Sequence, residues 1–448
     1  MTLTTLKQAE NLIYQSYMRA VPNILHEQDD IVKKPELTRS LLDDIGKPDQ
    51  NGTNILVTGS KGKGSTSKMI ASLLGHLGYK VGLFTSPHIL HFTERIRVNG
   101  KSISEGDFIR LANQVAPSFN EIEKTLPPHH YQGPIGVALS IALLYFNEQK
   151  TDVNIIECGR GGKYDDTNVI NNELAVITPI MEEHLNHLGP TLEDIIIHKL
   201  GIVKEKTKNV VISKQSPYVQ EVIKEKLNTN NVHAFYDSTH FHAFNIHITQ
   251  DGVSFSVETN ESNYSNIFLS LLGEFQANNA AAALKTCEVF LNKTLPLKDV
   301  KKCFQKLKWP GRCEIIDHSP SVIVDGAIHR ESAKYVKKIL DESGFKSIVS
   351  ILAVPEDKDY KGVIKEAASF SKQIIITKPS VSHKTFPKDA LAVSAAYLSN
   401  SIEIYPLESA VQKAKANPRI DCIVILGTQT FISDVKRIWK QSLADLGI

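Results

Sequence analysis

A glycine-rich loop separates an apolar segment from a helix-forming one in the stretch ILVTGSKGKGSTSKMIASLLGHLG, and few folds accommodate such a junction. The apolar run over residues 55–58 predicts a strand, and residues 65–78 predict a helix. Glycines in the loop let backbone amides approach a ligand closely, while the first turn of the helix offers N–H groups that lack a partner within the helix. The junction therefore predicts an anion site on an α/β protein.

Lysine and hydroxyl side chains extend this anion site to a site for the phosphates of ATP. In a P-loop, a lysine reaches the terminal phosphates and a Ser or Thr follows it at the start of the helix. Only Ser60 and Lys61 separate Gly59 from Gly62, so this loop is a short variant. A glycine turn with an incidental lysine is the alternative, and the flanking strand and helix favour the phosphate site. The candidate nucleotide-binding residues are Gly59, Ser60, Gly62, Lys63, Gly64, Ser65 and Thr66.

Composition narrows the class of protein. The chain has 448 residues with a formal net charge of +2, a length that predicts two domains and a charge that argues against a nucleic-acid surface. It shows neither a secretory leader nor an apolar run of about 18 residues, so we expect a cytoplasmic, monomeric protein with small-molecule partners and no membrane contact. Five scattered cysteines predict neither a disulfide framework nor a structural zinc site.

Strand and helix patterns alternate along most of the chain, which predicts a mostly parallel sheet covered by helices on both faces. Residues 1–50 predict a helical leader, and residues 233–270 predict a small antiparallel insert with a turn at Asp251-Gly252. A second alternating series begins near Cys313, after the helix breaker Trp309-Pro310-Gly311. We therefore predict an ATP-binding domain over residues 1–306, a hinge over 307–312 and a second α/β domain over 313–448.

Six further motifs follow the loop in a fixed order: FTSPHILHFTERIRVNG, IIECGRGGKYDDTNVI, EEHLNHLGPTLEDIIIHKLGIVK, LLGEFQANNAAAA, WPGR and VDGA. Together they resemble the folylpolyglutamate synthase and dihydrofolate synthase branch of the Mur ligase family across nearly the whole chain. The resemblance implies a Rossmann-like C-terminal domain. It also implies a ligase that phosphorylates a substrate carboxylate with ATP and lets the amine of L-glutamate attack the acyl phosphate, with dihydropteroate or a reduced folate as acceptor.

The same resemblance implies which residues bind metal. The Mg²⁺ ligands of the family match Ser86, Glu157 and His184, while Lys199 matches a lysine that CO₂ carbamylates to hold a second Mg²⁺. Read from its helix alone, Lys199 is a solvent-facing charge, and carbamylation would need burial to deprotonate it. Lys63, His184 and Lys199 are thus the candidate catalytic residues.

Other matches concern the nucleotide. The resemblance places Gln276 and Asn279 at the adenine region, Arg312 at the phosphates and Asp325 against the nucleotide from the second domain. Asp165 and Asn168 match positions near the active site, although an Asp-Asp-Thr-Asn turn also forms without any function.

The chain departs from the family pattern at several positions: Lys61, Gln132, Glu183, Ile328, His329 and Arg330. Lys61 adds a charge to the loop, Glu183 lengthens an acidic side chain, and Gln132 stands where we expect a carboxylate near the acceptor. Three hypotheses therefore stay open. They are a folate ligase, which the TSPH segment favours, a related amide ligase with another acceptor and amine, and a nucleotide-binding protein without activity. Retention of Lys63, Glu157, His184 and Lys199 argues against the last.

Overall fold

The computed structural model describes residues 2–24, 28–227, 231–380 and 384–448. Its helices are α1 Leu6–Ile24, α2 Asp29–Val32, α3 Pro35–Asp44, α4 Lys63–His76, α5 Glu105–Thr125, α6 Pro134–Gln149, α7 Leu185–Leu188, α8 Leu192–Leu200, α9 Pro217–Leu227, α10 Glu274–Leu291, α11 Leu297–Lys306, α12 Arg330–Ser343, α13 Tyr360–Phe370, α14 Ala390–Tyr397, α15 Leu407–Lys415 and α16 Gln429–Ile438. Its strands are β1 Thr53–Thr58, β2 Val81–Phe84, β3 Ile96–Val98, β4 Lys101–Ser102, β5 Val153–Glu157, β6 Leu174–Ile177, β7 Asn209–Ile212, β8 His233–Tyr236, β9 Phe241–Ile248, β10 Val253–Thr259, β11 Asn263–Leu269, β12 Glu314–His318, β13 Ser321–Asp325, β14 Ile348–Ala353, β15 Gln373–Ile376, β16 Ser401–Glu403 and β17 Cys422–Gly427.

The first sheet has the order β4-β3-β2-β5-β1-β6-β7-β8 among the residues described. Strands β2, β5, β1, β6, β7 and β8 run parallel, and β3 and β4 form an antiparallel edge. Strand β1 at the centre is apolar on both faces: Leu56 packs into one core, while Ile55 and Val57 pack into the other. Parallel strands covered by helices on both sides require this continuous apolar run. The predicted α/β class is confirmed.

The antiparallel insert is smaller than we predicted. Strands β9, β10 and β11 form a separate antiparallel sheet, and its first hairpin turns at Asp251-Gly252 as expected. Strand β8, at residues 233–236, instead pairs parallel with β7 as the last strand of the first sheet. The sequence pattern did not separate these neighbours because both are short apolar strands flanked by turns.

The C-terminal sheet has the order β12-β13-β17-β14-β15-β16. Strands β12 and β13 pair antiparallel, and the other neighbours are parallel. All its strands follow residue 313, and α11 ends at Lys306 before the Trp309-Pro310-Gly311 segment. Sheet membership supports the division at 307–312, which stays a prediction as a domain boundary. No helix of the described segments has the length and apolar character that crossing a membrane requires.

The Trp309-Pro310-Gly311 segment leads from the first sheet to the sheet of β12–β17. After α16, the segment 443–447 returns to the first sheet and forms a second connection between the two. The buried guanidinium of Arg97 donates to the carbonyl oxygens of Leu443 at 2.8 Å and Ala444 at 3.4 Å. The buried Lys68 ammonium donates to the Gly447 carbonyl at 2.7 Å, and burial lowers the pKa of Lys68 to about 8. Two cations, one on α4 and one on β3, therefore anchor this tail.

Replacing Arg97 should weaken this connection. We expect Arg97→Met to lower the free energy of unfolding by about 2–4 kcal/mol, because the carbonyl of the buried Leu443 and that of Ala444 lose a charged donor. Urea unfolding followed by tryptophan fluorescence measures the change. The matched control is Arg110→Met, since Arg110 is about half exposed and pairs with surface carboxylates; it should cost at most about 1 kcal/mol. Equal losses in the two variants would contradict the anchoring role of Arg97.

Candidate active site

The candidate site lies at the carboxyl ends of four neighbouring parallel strands, where α/β sheets bind ligands. Strand β1 leads into the glycine loop, and β5 ends at Glu157. Strand β2 leads to Ser86, and β6 leads to Glu183 and His184. Because these strands are adjacent in the order β2-β5-β1-β6, residues far apart in the chain converge on one edge of the sheet.

The glycine loop presents an open helix end. The N–H groups of Ser60 and Lys61 donate to the Pro179 carbonyl oxygen at 2.8 and 3.2 Å, which fixes the start of the loop beside β6. Gly62 is the N-cap of α4, and within the described chain no side chain caps this helix. The first N–H groups of α4 thus remain available to an anion, as the sequence predicted.

Lys63 lies between two carboxylates. Its ammonium donates to the Gly59 carbonyl at 2.8 Å. On one side, burial raises the pKa of Glu157, and the charge of Lys63 and the Ser86 N–H at 2.9 Å oppose that rise. On the other side, burial also opposes ionisation of Glu183, but the charges of Lys199 and Lys63 outweigh it and lower the pKa of Glu183.

Lys199 is completely buried, so the solvent-facing interpretation drawn from its helix alone is wrong and the one implied by the family resemblance agrees with the structure. Its ammonium donates to the Gly59 carbonyl at 2.9 Å and to the Glu183 carboxylate at 2.9 Å. Burial and the charge of Lys63 lower the pKa of Lys199 to about 8, although Glu183 opposes the shift. A buried amine with this pKa is partly neutral near physiological pH.

A close backbone contact holds the helix that carries Lys199 against the turn after β5. A Cβ atom on Gly162 would lie 2.7 Å from the Lys199 carbonyl oxygen and 3.1 Å from its Cα. The turn after β5 therefore lies directly on α8, and only a glycine permits that approach. This tertiary contact, and not the helical pattern of residues 192–200, decides the environment of Lys199.

His184 is less closely associated with the site. It is exposed, has a left-handed backbone conformation with φ 51° and precedes the short helix α7. Among the described residues, no three His, Cys, Asp or Glu side chains come together in a group that could hold a metal ion. The metal role of His184 stays a prediction.

Hard oxygen donors nevertheless fit Mg²⁺ near the loop. The Glu157 carboxylate is buried and is joined to Ser86 through its backbone N–H. The Thr66 hydroxyl is also buried, and it has no hydrogen-bond partner among the residues described. Mg²⁺ prefers one or two carboxylates with further oxygen ligands, so the residues present suit this ion.

Helix α10 covers the loop from the opposite side. Asn279 and Gln276 are buried, and the Asn279 amide donates to the Gln276 side-chain oxygen at 3.0 Å. A Cβ atom on Gly62 would lie 2.5 Å from Oδ1 of Asn279, and Gly62 has a φ of 84°. Both predicted nucleotide residues of α10 thus lie behind the phosphate loop, and their contact with adenine stays a prediction.

A cleft opens beside the loop, between the first sheet and the sheet of β12–β17, and its lining includes Gly64, Ser86, Trp309, Arg312 and Gln429. Arg312 is exposed, and its charge reaches both Glu157 and Asp325. Asp325 accepts the Cys313 N–H at 2.9 Å, while burial raises its pKa.

Asp165 and Asn168 brace the chain locally. The Asp165 carboxylate accepts from the Gly159 and Thr167 N–H groups at 3.1 Å, and Asn168 donates to the Gly201 carbonyl at 3.0 Å. These bonds join the turn after β5 to the end of α8. They support a structural role for both residues.

Besides Glu183, which pairs with Lys199, four of the family departures have structural partners. Gln132 is buried between α1 and α5, where it donates to the Phe119 carbonyl at 2.9 Å. Ile328 packs on the core beside the sheet of β12–β17, the His329 N–H donates to the Ser332 hydroxyl at 3.3 Å at the start of α12, and Arg330 pairs with Glu366 at 2.8 Å. Lys61 is exposed.

Glu94 is an anchoring residue that sequence reasoning missed. Its buried carboxylate accepts the N–H groups of Ile89, Leu90 and His91 at 2.8 to 3.0 Å. These bonds shape the segment that follows Ser86. The acidic residue three positions after His91 was the available signal, because it completes a capping box.

An open helix N-terminus that faces a cleft between two α/β sheets is typical of enzymes that close over a nucleotide and a second substrate, and the chain falls into this class. Comparison with known proteins narrows the class. The family model described as the Mur ligase middle domain matches residues 57–287. The chain belongs to the Mur ligase family, in its folylpolyglutamate synthase and dihydrofolate synthase branch, and is an ATP-dependent ligase.

Two relatives illustrate the similarity. The chain is 32% identical to dihydrofolate synthase/folylpolyglutamate synthase of Bacillus subtilis, over 91% of this chain and 95% of that protein. Its structure resembles Mycobacterium tuberculosis folylpolyglutamate synthase complexed with ADP, with a TM-score of 0.84, 26% identity and coverage of 98% of both chains.

Filling the space between the loop and α10 should impair nucleotide binding. We expect Gly62→Ala to weaken AMPPCP binding at least about tenfold, because the methyl group would displace Asn279 and the left-handed conformation costs about 1–2 kcal/mol. Titration calorimetry measures the affinity. Gly46→Ala is the control, since Gly46 also has positive φ but open space around it. The same affinity in both variants would contradict the tight contact.

Proposed function

We propose that the protein joins L-glutamate to dihydropteroate or to a reduced folate, with ATP as the energy source. One observation above all supports this proposal. The open N-terminus of α4 lies at the same sheet edge as Lys63, Glu157 and Lys199, and this edge borders the cleft. Likeness to the Bacillus subtilis and Mycobacterium tuberculosis proteins over nearly the whole chain supports the folate substrates.

In this proposal ATP transfers its terminal phosphate to the substrate carboxylate. The amine of L-glutamate then attacks the acyl phosphate, so that an amide forms and ADP and phosphate leave. The N–H groups of α4 and the Lys63 ammonium bind the phosphates and balance the charge that develops during transfer. Arg312 adds a positive charge from the second domain.

Ser86, Glu157 and Thr66 would hold Mg²⁺, which neutralises phosphate charge when bound. Lys199, once carbamylated, would offer a carboxylate-like group for a second ion, and His184 would lie at its edge. The uncharged amine that CO₂ needs is favoured by the burial of Lys199. In the unmodified state, the Glu183 carboxylate keeps this side chain oriented.

The cleft supports the amide-forming step. Acyl phosphates react with water, so the second domain has to exclude solvent while the amine attacks. Trp309 and Arg312 lie on the connection between the domains and line the cleft beside Gly64. Closure about this connection would bring Arg312 and Asp325 onto the nucleotide.

The test measures ADP release and product mass with Mg-ATP and L-glutamate, with and without dihydropteroate or tetrahydrofolate. We expect a glutamylated pterin product, and Lys63→Ala should lower turnover at least about 10³-fold through lost phosphate stabilisation. Lys208→Ala is the control, because Lys208 is exposed and pairs only with Glu173 in the described structure. ATP turnover that ignores every folate would reject the substrate, and normal rates in Lys63→Ala would reject the phosphate site.

The carbamate proposal has a separate test. Lys199→Ala should lose most activity and regain part of it with acetate or formate, which replace the missing carboxylate. In the wild-type protein, activation by bicarbonate should become stronger as the pH rises from 7 to 8. The reason is that the neutral fraction of the Lys199 amine, whose pKa is about 8, grows over that range.

Lys204→Ala provides the matched control for this rescue. Lys204 is another partly buried lysine with a pKa lowered to about 8 by burial, but its ammonium donates to the Asn168 and Ile170 carbonyls. Carboxylates should not restore this variant. Full activity of Lys199→Ala, or equal rescue of both variants, would contradict the proposal that Lys199 acts as a carbamate.

A further inference from the structure

Gln429 lies in the cleft between the two domains, and neither its residue type nor its position in the sequence suggested a role. It is the first residue of α16, directly after β17 and Thr428. The lining of the same cleft includes Gly64 of the phosphate loop, Ser86 and Arg312. Gln429 therefore lines the same cleft as the first turn of the helix that follows the phosphate loop.

The Gln429 side chain presents an unused acceptor atom. Its Oε1 is buried and has no hydrogen-bond partner within the described segments. A Cβ atom on Gly326 would lie 3.3 Å from its Nε2 and 3.7 Å from the Arg312 guanidinium. The carboxamide is thus close to the backbone at Gly326 and to a cation. A buried acceptor of this kind destabilises the protein until a donor reaches it.

The chemistry of the substrates selects the donor. ATP phosphates and a substrate carboxylate offer lone pairs to a ligand-binding group, so they do not suit an acceptor oxygen. Adenine and ribose also carry donors, but the residues predicted to meet the nucleoside, Gln276, Asn279 and Asp325, are not among the described residues that line this cleft. The amino group of L-glutamate must approach the phosphate end of the cleft, because it attacks the acyl phosphate there.

We propose that Oε1 of Gln429 accepts a hydrogen bond from the amino group of the incoming L-glutamate. The assignment rests on the proposed function and names a residue that selects and orients the amine. An amide oxygen is too weak a base to take a proton, so Gln429 binds the amine and leaves proton removal to another base. The neighbouring Arg312 guanidinium suits an anionic group. Gln429 would therefore bind the amino group of the substrate, while Arg312 would bind a negatively charged group.

The experiment compares Gln429→Met and Gln429→Glu in the full-length protein. Methionine keeps the size of the side chain without the acceptor, and glutamate keeps an acceptor oxygen at the same reach. We expect Gln429→Met to raise KM for L-glutamate at least about tenfold, with a much smaller change in kcat and in KM for ATP. Gln429→Glu should return KM for L-glutamate to within about threefold of the original value.

A merely structural role would move KM for ATP, kcat and the melting temperature together. If Gln429→Met leaves KM for L-glutamate within about twofold while the unvaried protein depends on L-glutamate, the assignment of Gln429 is overturned and the proposed function stands. The assignment is equally overturned if Gln429→Glu is as impaired as Gln429→Met. If turnover by the unvaried protein does not require L-glutamate, the proposed function fails and this assignment fails with it.

Discussion

Two ammonium groups share one carbonyl oxygen at the centre of the site. Lys63 donates to the Gly59 carbonyl at 2.8 Å and Lys199 donates to the same atom at 2.9 Å. Positive charges this close repel one another, and burial makes the repulsion harder to screen. Glu157 and Glu183 compensate, and anionic phosphates would add to that compensation. The cluster is therefore most stable when a polyanion is bound.

This electrostatic arrangement depends on the sheet. Strands β2, β5, β1 and β6 are neighbours although β3, β4 and several helices separate them in the chain. Their order delivers Ser86, Glu157 and Glu183 to the two sides of the phosphate loop. The turn after β5 lies close to the backbone of α8, and the Lys199 side chain is completely buried. Helix packing thus sets the pKa of the amine that the chemistry would use.

Two segments of the chain connect the first sheet to the sheet of β12–β17. Trp309, Pro310 and Gly311 form one connection, and the segment 443–447 returns to Arg97 and Lys68 as a second one. The two attachments thus join the sheet of β12–β17 to the first sheet at separate points, and Arg312 directly follows the first of them.

Local patterns predicted much of this molecule. The strand, loop and helix at residues 53–76 could be read directly, because a phosphate loop needs glycines, a lysine and a hydroxyl residue in close succession. The alternation of strands and helices predicted the α/β class, and the order of the motifs identified the family. Short segments were harder: β8 could not be separated from the antiparallel insert, because a strand of four residues has too few side chains to show which sheet it joins.

The sequence by itself determined the phosphate loop, the class of fold and the oxygen and amine groups available for chemistry, since these depend on residue type and near-neighbour spacing. Only the tertiary structure decided that Lys199 is buried, that Glu183 pairs with it, that Gln132 and Ile328 pack against the core, and that Gln429 lines the cleft with a side-chain oxygen that is unpaired among the residues described. Each of these properties arises from contacts between residues distant in the chain, and burial and desolvation are set by those contacts rather than by sequence neighbours.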